Sequence, residues 1–419
     1  VRDIGDIVTE TNAVASTGGT DTVYSYLSAY TLTAKVENGR ITSTSSANLT
    51  GNTLDNLLYA GGGNNVINGS SGTDTVSYYY GNNGTGVTAS LATAAAQATG
   101  GSGTDTLIGI ERLYGTNYAD KLTGNTGANY LSGYAGNDTI DGGTGIDTML
   151  GGDGNDIYYV RDIGDIVTET NAVASTGGTD TVYSYLSAYT LTAKVENGRI
   201  TSTSSANLTG NTLDNLLYAG VGNNVINGSS GTDTVSYYYG NNGTGVTVSL
   251  ATTAVQATGG SGSDTLLSIE NLTGSGFNDG LTGNNGANRL EGGSGADRLA
   301  GGLGNDTLIG GSGSDTFRFD TLLNALSNRD TIGDFNVVAD SIELENAIFG
   351  SLTTTGMLVA GSFRTGAGVS AADADDYILY DSGSGALYYD ADGDGGGVAV
   401  QFASLSSALA LSNGDFLVT

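Results

Sequence analysis

The sequence predicts an all-β fold: a parallel β-roll followed by a β-rich C-terminal cap. Three observations predict it. From Gly115 to Thr168 the chain reads in nines without a break: GTNYADKLT, GNTGANYLS, GYAGNDTID, GGTGIDTML, GGDGNDIYY and VRDIGDIVT. Position eight of these units is nearly always apolar, and no stretch shows a long helical period. The 419 residues include 70 glycines and no proline, a composition suited to short strands joined by tight turns. Glycines in the first half of each unit allow positive φ, which a residue with a Cβ resists. The apolar residue in the second half lies on a short strand and points inward. Two units make one coil, so each unit stacks on the one eighteen residues later.

Position six carries the chemistry. It is Asp120, Asn129, Asp138, Asp147, Asp156 and Asp165 in this run. Asp120 then lies over Asp138, Asp138 over Asp156, and Asp147 over Asp165. Carboxylates one strand spacing apart, ~4.8 Å, repel unless a cation lies between them. Ligands that are all carboxylate and carbonyl oxygens suit calcium. The pattern returns at Gly274–Arg318, with Asp279, Asn288, Asp297, Asp306 and Asp315 at position six. Shorter runs at Gly51–Ser77 and Gly210–Ser236 end in Asp74 and Asp233, and single units supply Asp105 and Asp264. These thirteen aspartates are the predicted calcium ligands of the roll.

The units, G-G-x-G-x-D-x-U-x, resemble the repeats-in-toxin (RTX) nonapeptides of exported Gram-negative proteins and cover about half the chain. The resemblance implies a secreted protein that binds several calcium ions in its turns.

The charge supports this reading. Forty-three acidic residues against thirteen basic ones leave a net charge of −30. Without counter-ions such a chain is expanded by self-repulsion and glycine entropy. Calcium neutralises the turns, so binding and folding become one event. Extracellular calcium modules work at about 10⁻⁴–10⁻³ M, above cytosolic levels, so the chain is expected to fold outside the cell. The charge makes nucleic acid an unfavourable partner. The chain contains no cysteine, which excludes disulfides and thiol chemistry. No apolar run approaches the ~18 residues of a membrane helix. The opening Val1-Arg2-Asp3 has no basic, apolar leader and repeats the string at Val160, so the sequence is expected to begin inside a longer polypeptide.

A longer period lies above the nonapeptide one. Residues 1–107 match 160–266 with an offset of 159 and five differences. The expected organisation is one roll module at 1–159, a tandem copy at 160–318, and the cap at 319–419. Each module also holds a connecting part in which Thr22–Leu32 and Val36–Thr42 read as strands that extend the roll as wider coils. Val76–Tyr80 and Gly86–Leu91 read as a hairpin around Asn82-Asn83-Gly84. Alternation places Tyr79 on the face opposite Tyr78 and Tyr80, so at least one tyrosine of this triplet is expected at the surface.

In residues 319–419 the glycine repeats stop. Arg329–Leu344, Asp376–Asp390 and Val398–Leu405 read as strands and Ala403–Leu411 as a helix. Asp330-Thr331-Ile332 with Asp334-Phe335, Tyr388-Tyr389-Asp390-Ala391-Asp392-Gly393 and Val400-Gln401-Phe402-Ala403 resemble the cap that follows the roll in serralysin-type proteins. The ending Asp415-Phe416-Leu417-Val418-Thr419 resembles the uncleaved signal of type I export, which would make the export machinery a partner. Asp390, Asp392 and Asp394 followed by Gly395 match the opening of an EF-hand-like loop, although Gln401 stands where a bidentate Glu belongs. They complete the set of candidate metal ligands.

With no histidine and no cysteine, Ser-His-Asp, Cys-His and H-E-x-x-H sites are impossible. Nearly every Asp has a repeat position, and Glu10, Glu37 and Glu111 recur in both modules. The chain is therefore read as a non-enzyme. Three classes follow: a secreted structural protein (surface layer, filament or adhesin stalk) that self-associates; the noncatalytic C-terminal part of a secreted hydrolase; or a carbohydrate- or ice-binding module with threonine-rich faces. Two near-identical modules favour the first.

Overall fold

The computed structural model describes residues 1–10, 19–170 and 177–419; residues 11–18 and 171–176 of the connecting parts lie outside the described residues. The chain forms two compact units, residues 1–186 with 191–198, and residues 187–190 with 199–419. No α-helix occurs among the described residues, and nearly all strand pairs are parallel.

In the first unit the chain alternates between two parallel ladders. One holds Thr22–Ser25, Asn38–Ile41, Leu57–Tyr59, Thr75–Ser77, Arg112–Tyr114, Tyr130–Ala135, Thr148–Asp153 and Ile166–Thr168. Lys121–Thr123, Thr139–Asp141 and Ile157–Val160 stack in the other, with Thr88–Ser90 at one side. Register advances by eighteen residues: Leu113 pairs with Leu131 and Leu131 with Met149, while Leu122 pairs with Ile140 and Ile140 with Tyr158. All of these side chains, position eight of their units except Leu113 just before the run, are fully buried. Each contributes roughly 1.5–3 kcal/mol by leaving water, and their single file makes the core. This is the predicted all-β parallel roll.

The connecting part joins the same ladders. Thr22 pairs with Asn38 and Asn38 with Leu57, both parallel, so the wider coils keep the stacking and carry longer loops. The long strand expected at Thr22–Leu32 is two short ones: Thr22–Ser25 lies in the first ladder, and Ala29–Thr31 in a separate five-stranded sheet beside Asn48–Thr50. A coil this narrow must turn after every few residues. The hairpin expected around Asn82-Asn83-Gly84 is not formed. Thr75–Ser77 lies in parallel between Leu57–Tyr59 and Arg112–Tyr114, and Thr88–Ser90 pairs in parallel with Lys121–Thr123. Parallel stacking fully buries Val76 and Ala89, whereas a hairpin would leave one edge of each strand bare. Asn82 and Gly84 still make the turn, Asn82 Oδ1 accepting the Gly84 N–H at 3.0 Å. Tyr78 is buried while Tyr79 and Tyr80 are exposed.

The second unit repeats this construction. Asn271–Thr273, Arg289–Ser294 and Thr307–Ser312 stack in one ladder, and Gly280–Thr282, Arg298–Ala300 and Thr316–Phe319 in the other. The residues after 319 continue both. Asp330–Ile332 pairs with Thr307–Ser312, Ser341–Leu344 with Thr316–Phe319, and Phe416–Val418 with Ser341–Leu344. Ile378–Asp381 and Ala386–Tyr389 form an antiparallel hairpin that continues into Val400–Ser404. Phe402 packs edge-on against Phe319 and Phe349, with ring centroids 5.0 and 5.2 Å apart. The helix expected at Ala403–Leu411 is absent: Ala403 and Ser404 belong to a strand, the Leu405 N–H bonds Gly385 O, and Ala408 sits at φ 60°.

Candidate metal centres in the turns

Each position-six side chain stands at the foot of a short strand, where the turn brings it over the next coil. The Asp120 N–H donates to Asp138 Oδ1 at 2.7 Å and the Asp138 N–H to Asp156 Oδ1 at 2.7 Å. Asn129 donates to Asp147 Oδ1, Asp279 to Asp297 and Asn288 to Asp306 in the same way, at 2.7–2.8 Å. One carboxylate oxygen is thereby used. The other, Oδ2, is buried without a hydrogen-bond partner in Asp74, Asp138, Asp147, Asp156, Asp233, Asp297, Asp306 and Asp315. An unsatisfied buried acceptor costs about 1–3 kcal/mol, and more when charged. Eight such oxygens among the described residues, each in a matching turn, offer a cation an open acceptor.

Glycine at position one makes room for it. A Cβ on Gly142 would fall on Asp147 Oδ2, one on Gly301 on Asp306 Oδ2, and one on Gly310 on Asp315 Oδ2. Backbone carbonyls line the same cradles: a Cβ on Gly292 would lie 2.7 Å from Gly310 O as well as against Asp297 Oδ2. Carboxylate and carbonyl oxygens around a space with no donor fit calcium. The position-six aspartates would hold the ion together with the turn carbonyls, and the ion would supply the positive charge that the turns lack.

A backbone angle separates these eight turns from the rest. Position two is left-handed in all of them: Ser70 at φ 78°, Tyr134 at 79°, Gly143 at 92°, Gly152 at 111°, Ser229 at 77°, Gly293 at 110°, Gly302 at 96° and Gly311 at 96°. Elsewhere position two is not left-handed, and in several turns its N–H folds back onto position six. Thr116 donates to Asp120 Oδ2 at 2.6 Å, Ser275 to Asp279 Oδ2 at 2.5 Å and Arg161 to Asp165 Oδ2 at 3.0 Å. The Thr116 and Ser275 hydroxyls reach the same carboxylates. Asp105 accepts the Asn65 N–H and the Thr99 hydroxyl, and Asp264 the Asn224 N–H and the Thr258 hydroxyl. The thirteen predicted roll aspartates thus divide into eight open carboxylates and five, Asp105, Asp120, Asp165, Asp264 and Asp279, closed by donors of the chain itself.

Asparagine closes a turn differently, since its amide supplies the positive end. Asn129 Nδ2 donates to Glu111 O at 3.2 Å, and Asn65 Nδ2 to Gly61 O and Gly63 O at 2.9 and 3.1 Å.

The cap loop brings together two of its three aspartates, the Asp392 N–H donating to Asp390 Oδ1 at 3.4 Å. Asp390 is buried while Asp392 and Asp394 are exposed, and Asp392 Oδ2 accepts the Gly397 N–H at 3.0 Å. Glycine-rich backbone closes this loop at Gly397, the eighth position, and Gln401 at the twelfth, where an EF-hand would place its bidentate Glu, lies in the strand Val400–Ser404. Among the described residues, one group of three acids brings its oxygens within 4.8 Å of one another: Asp156, Glu169 and Asp180. Glu169 and Asp180 lie outside the nonapeptides, so the repeat pattern did not mark them.

Burial dominates the electrostatics. It pushes Asp138 up to about 9, with the charges of Asp156 and Asp120 adding to the rise. It carries Asp156 and Asp297 to about 7, and Asp74, Asp147, Asp233 and Asp306 to about 6. Near neutral pH Asp138 therefore keeps its proton and Asp156 and Asp297 are part-protonated, while the groups raised to about 6 are largely ionised, and a bound cation favours the charged form of all of them.

A family model, the RTX calcium-binding nonapeptide repeat (4 copies), matches residues 48–84, 114–149, 133–161, 208–243, 269–299 and 282–317. All eight open turns lie inside these segments, and the repeats bind multiple calcium ions. Comparison with curated proteins finds no match.

Proposed function

This chain is built on RTX calcium-binding repeats, and from that premise we propose that it is a secreted structural protein, of the surface-layer, filament or adhesin-stalk kind, that folds when calcium reaches it outside the cell. Repeats of this type are typical of proteins secreted by Gram-negative bacteria. The observation that carries the reading is the set of eight buried carboxylate oxygens with no donor. A roll built this way is an incomplete structure in a calcium-poor compartment and a complete one at millimolar calcium. The eight open turns are the calcium sites of this reading, and the five closed aspartates are structural.

A role without catalysis is supported by the residue inventory: no histidine, no cysteine, and acids duplicated in both copies. Self-association is supported by the tandem repeat and by the tyrosine triplet. Tyr79 and Tyr80 are 40% and 52% exposed, and Tyr238 and Tyr239 are 59% and 51% exposed. Tyrosine contributes large contact area with a polar tip, as interfaces favour. The terminal Asp415–Thr419 stretch is read as the address for type I export, so its removal should keep the protein inside the cell.

Light scattering across a calcium titration tests the assembly. Growth in mass above millimolar calcium, abolished by Tyr80→Ser with Tyr239→Ser, is the expected result. A strictly monomeric calcium form would overturn it and favour the noncatalytic region of a secreted hydrolase.

A further inference from the structure

The three-acid group at the end of the first nonapeptide run differs from every regular turn. In the run, each position-six N–H meets the aspartate eighteen residues on. The Asp156 N–H instead meets Asp180 Oδ1 at 2.8 Å, twenty-four residues on, so Asp180 takes position six of a coil with a longer loop. Its strand, Thr181–Ser184, still pairs in parallel with Ile157–Val160. Glu169 comes from that loop. Its carboxylate accepts the Gly152 N–H at 3.3 Å and the Tyr158 hydroxyl.

Asp156, Glu169 and Asp180 are 1%, 6% and 2% exposed. Asp156 Oδ2 has no partner in the protein. A Cβ at Gly151 would fall on both that oxygen and Tyr158 Oη, so the unpartnered oxygen lies beside the hydroxyl that holds Glu169. The nearby Lys194 ammonium is engaged by Thr170 O at 3.0 Å and forms no ion pair with the group. Three buried carboxylates without a cation among them are unfavourable. The second unit shows a related pattern from a different sequence. There the Asp315 N–H meets Asp340 Oδ1 at 3.0 Å and the Gly311 N–H meets Asp334 Oδ2 at 2.8 Å. Gly311 is the counterpart of Gly152, and Asp334 is the exposed counterpart of Glu169.

We propose that Asp156, Glu169 and Asp180 form a calcium site of their own class, tighter than the regular turns, that joins the last nonapeptide coil to the segment following it. Affinity in oxygen-ligand sites rises with the number of charged ligands, and this site gathers three carboxylates at one point. It rests on the reading that the open turns take calcium, and it adds two residues from outside the nonapeptides, Glu169 and Asp180, to the ligand set. Calcium entering here first would fix the coil on which the preceding coils stack.

Isothermal titration of the full chain with calcium chloride tests the site. The expected trace has a tight step of about one ion before the remaining sites fill. Glu169→Gln and Asp180→Asn both keep an acceptor for the bonds described and remove one charge. Each should weaken the tight step about tenfold or more while the later uptake persists, and Glu10→Gln, at the matching position of the first copy, should leave it unchanged. A wild-type trace without a tight step, or a tight step unmoved by both variants, overturns this site alone. A wild-type chain that takes up no calcium overturns the calcium reading of all the turns.

Discussion

Removing calcium should unfold the roll at alkaline pH, and acid should relieve much of the defect. In the metal-free fold, burial lifts Asp156 from 3.8 to about 7, about three units, or about 4 kcal/mol when the group is charged. Asp138, lifted to about 9, adds about 6 kcal/mol at pH 8 by the same arithmetic. These two carboxylates alone cost about 10 kcal/mol, against the 5–15 kcal/mol of stability available to a typical domain. The other open turns add to the deficit. The sign follows from raised folded-state values: the metal-free fold is unpenalised below about pH 4 and loses stability as pH rises from there to the folded-state values of about 6–9. Protein stripped of calcium and dialysed into metal-free buffer, at micromolar concentration, should therefore lack the β-form circular dichroism at pH 8. It should regain β signal as the pH is brought towards 4, and calcium at pH 8 should restore it fully. A calcium-form spectrum in stripped protein at pH 8 would refute the argument, because the buried carboxylates would then be tolerated without a cation.

Three further outcomes follow. Gly142→Ala and Gly301→Ala place a methyl on Asp147 Oδ2 and Asp306 Oδ2; each should lower the calcium stoichiometry by about one ion, while Gly276→Ala, with open space at its Cβ, should not. Asp120→Asn and Asp279→Asn alter closed turns and should leave the calcium count unchanged, whereas Asp297→Asn should reduce it; equal losses at all three would erase the distinction. Leu290→Ala empties a fully buried position and should cost about 2–5 kcal/mol, read as a lower urea midpoint for the calcium-loaded protein.

The fold was legible because its period is short and its core is one residue wide. Leu131 and Met149 stand at position eight in the sequence, and in the structure Leu113 joins them in one buried file. The elements misread were those that resembled commoner ones. Asn82-Asn83-Gly84 is strong hairpin chemistry, yet stacking buries both flanking strands better than pairing them with each other. Position six located the carboxylates, but not which of them keep a free oxygen. That depends on the φ of the residue four places earlier, and Ser70 and Tyr134 adopt a left-handed angle that glycine adopts more readily. Glu169, the copy of Glu10, reads from sequence as one more duplicated structural acid, because its role depends on a loop returning to Gly152, a distance that periodicity does not encode.

The amide-to-carboxylate bonds between coils give the stack a direction. Asp120 donates to Asp138 and Asp138 to Asp156, so each coil depends on its C-terminal neighbour to receive its N–H. Deleting a coil from the N-terminal side of such a run frees an acceptor, which water or a cation can serve. Deleting one from the C-terminal side leaves a buried amide with nothing to bind. The structure therefore has a grain, like a shingled roof laid from one eave. Runs of this kind tolerate lengthening and shortening at their N-terminal end, and the seam formed by Asp156 with Asp180 is the course on which the preceding ones rest.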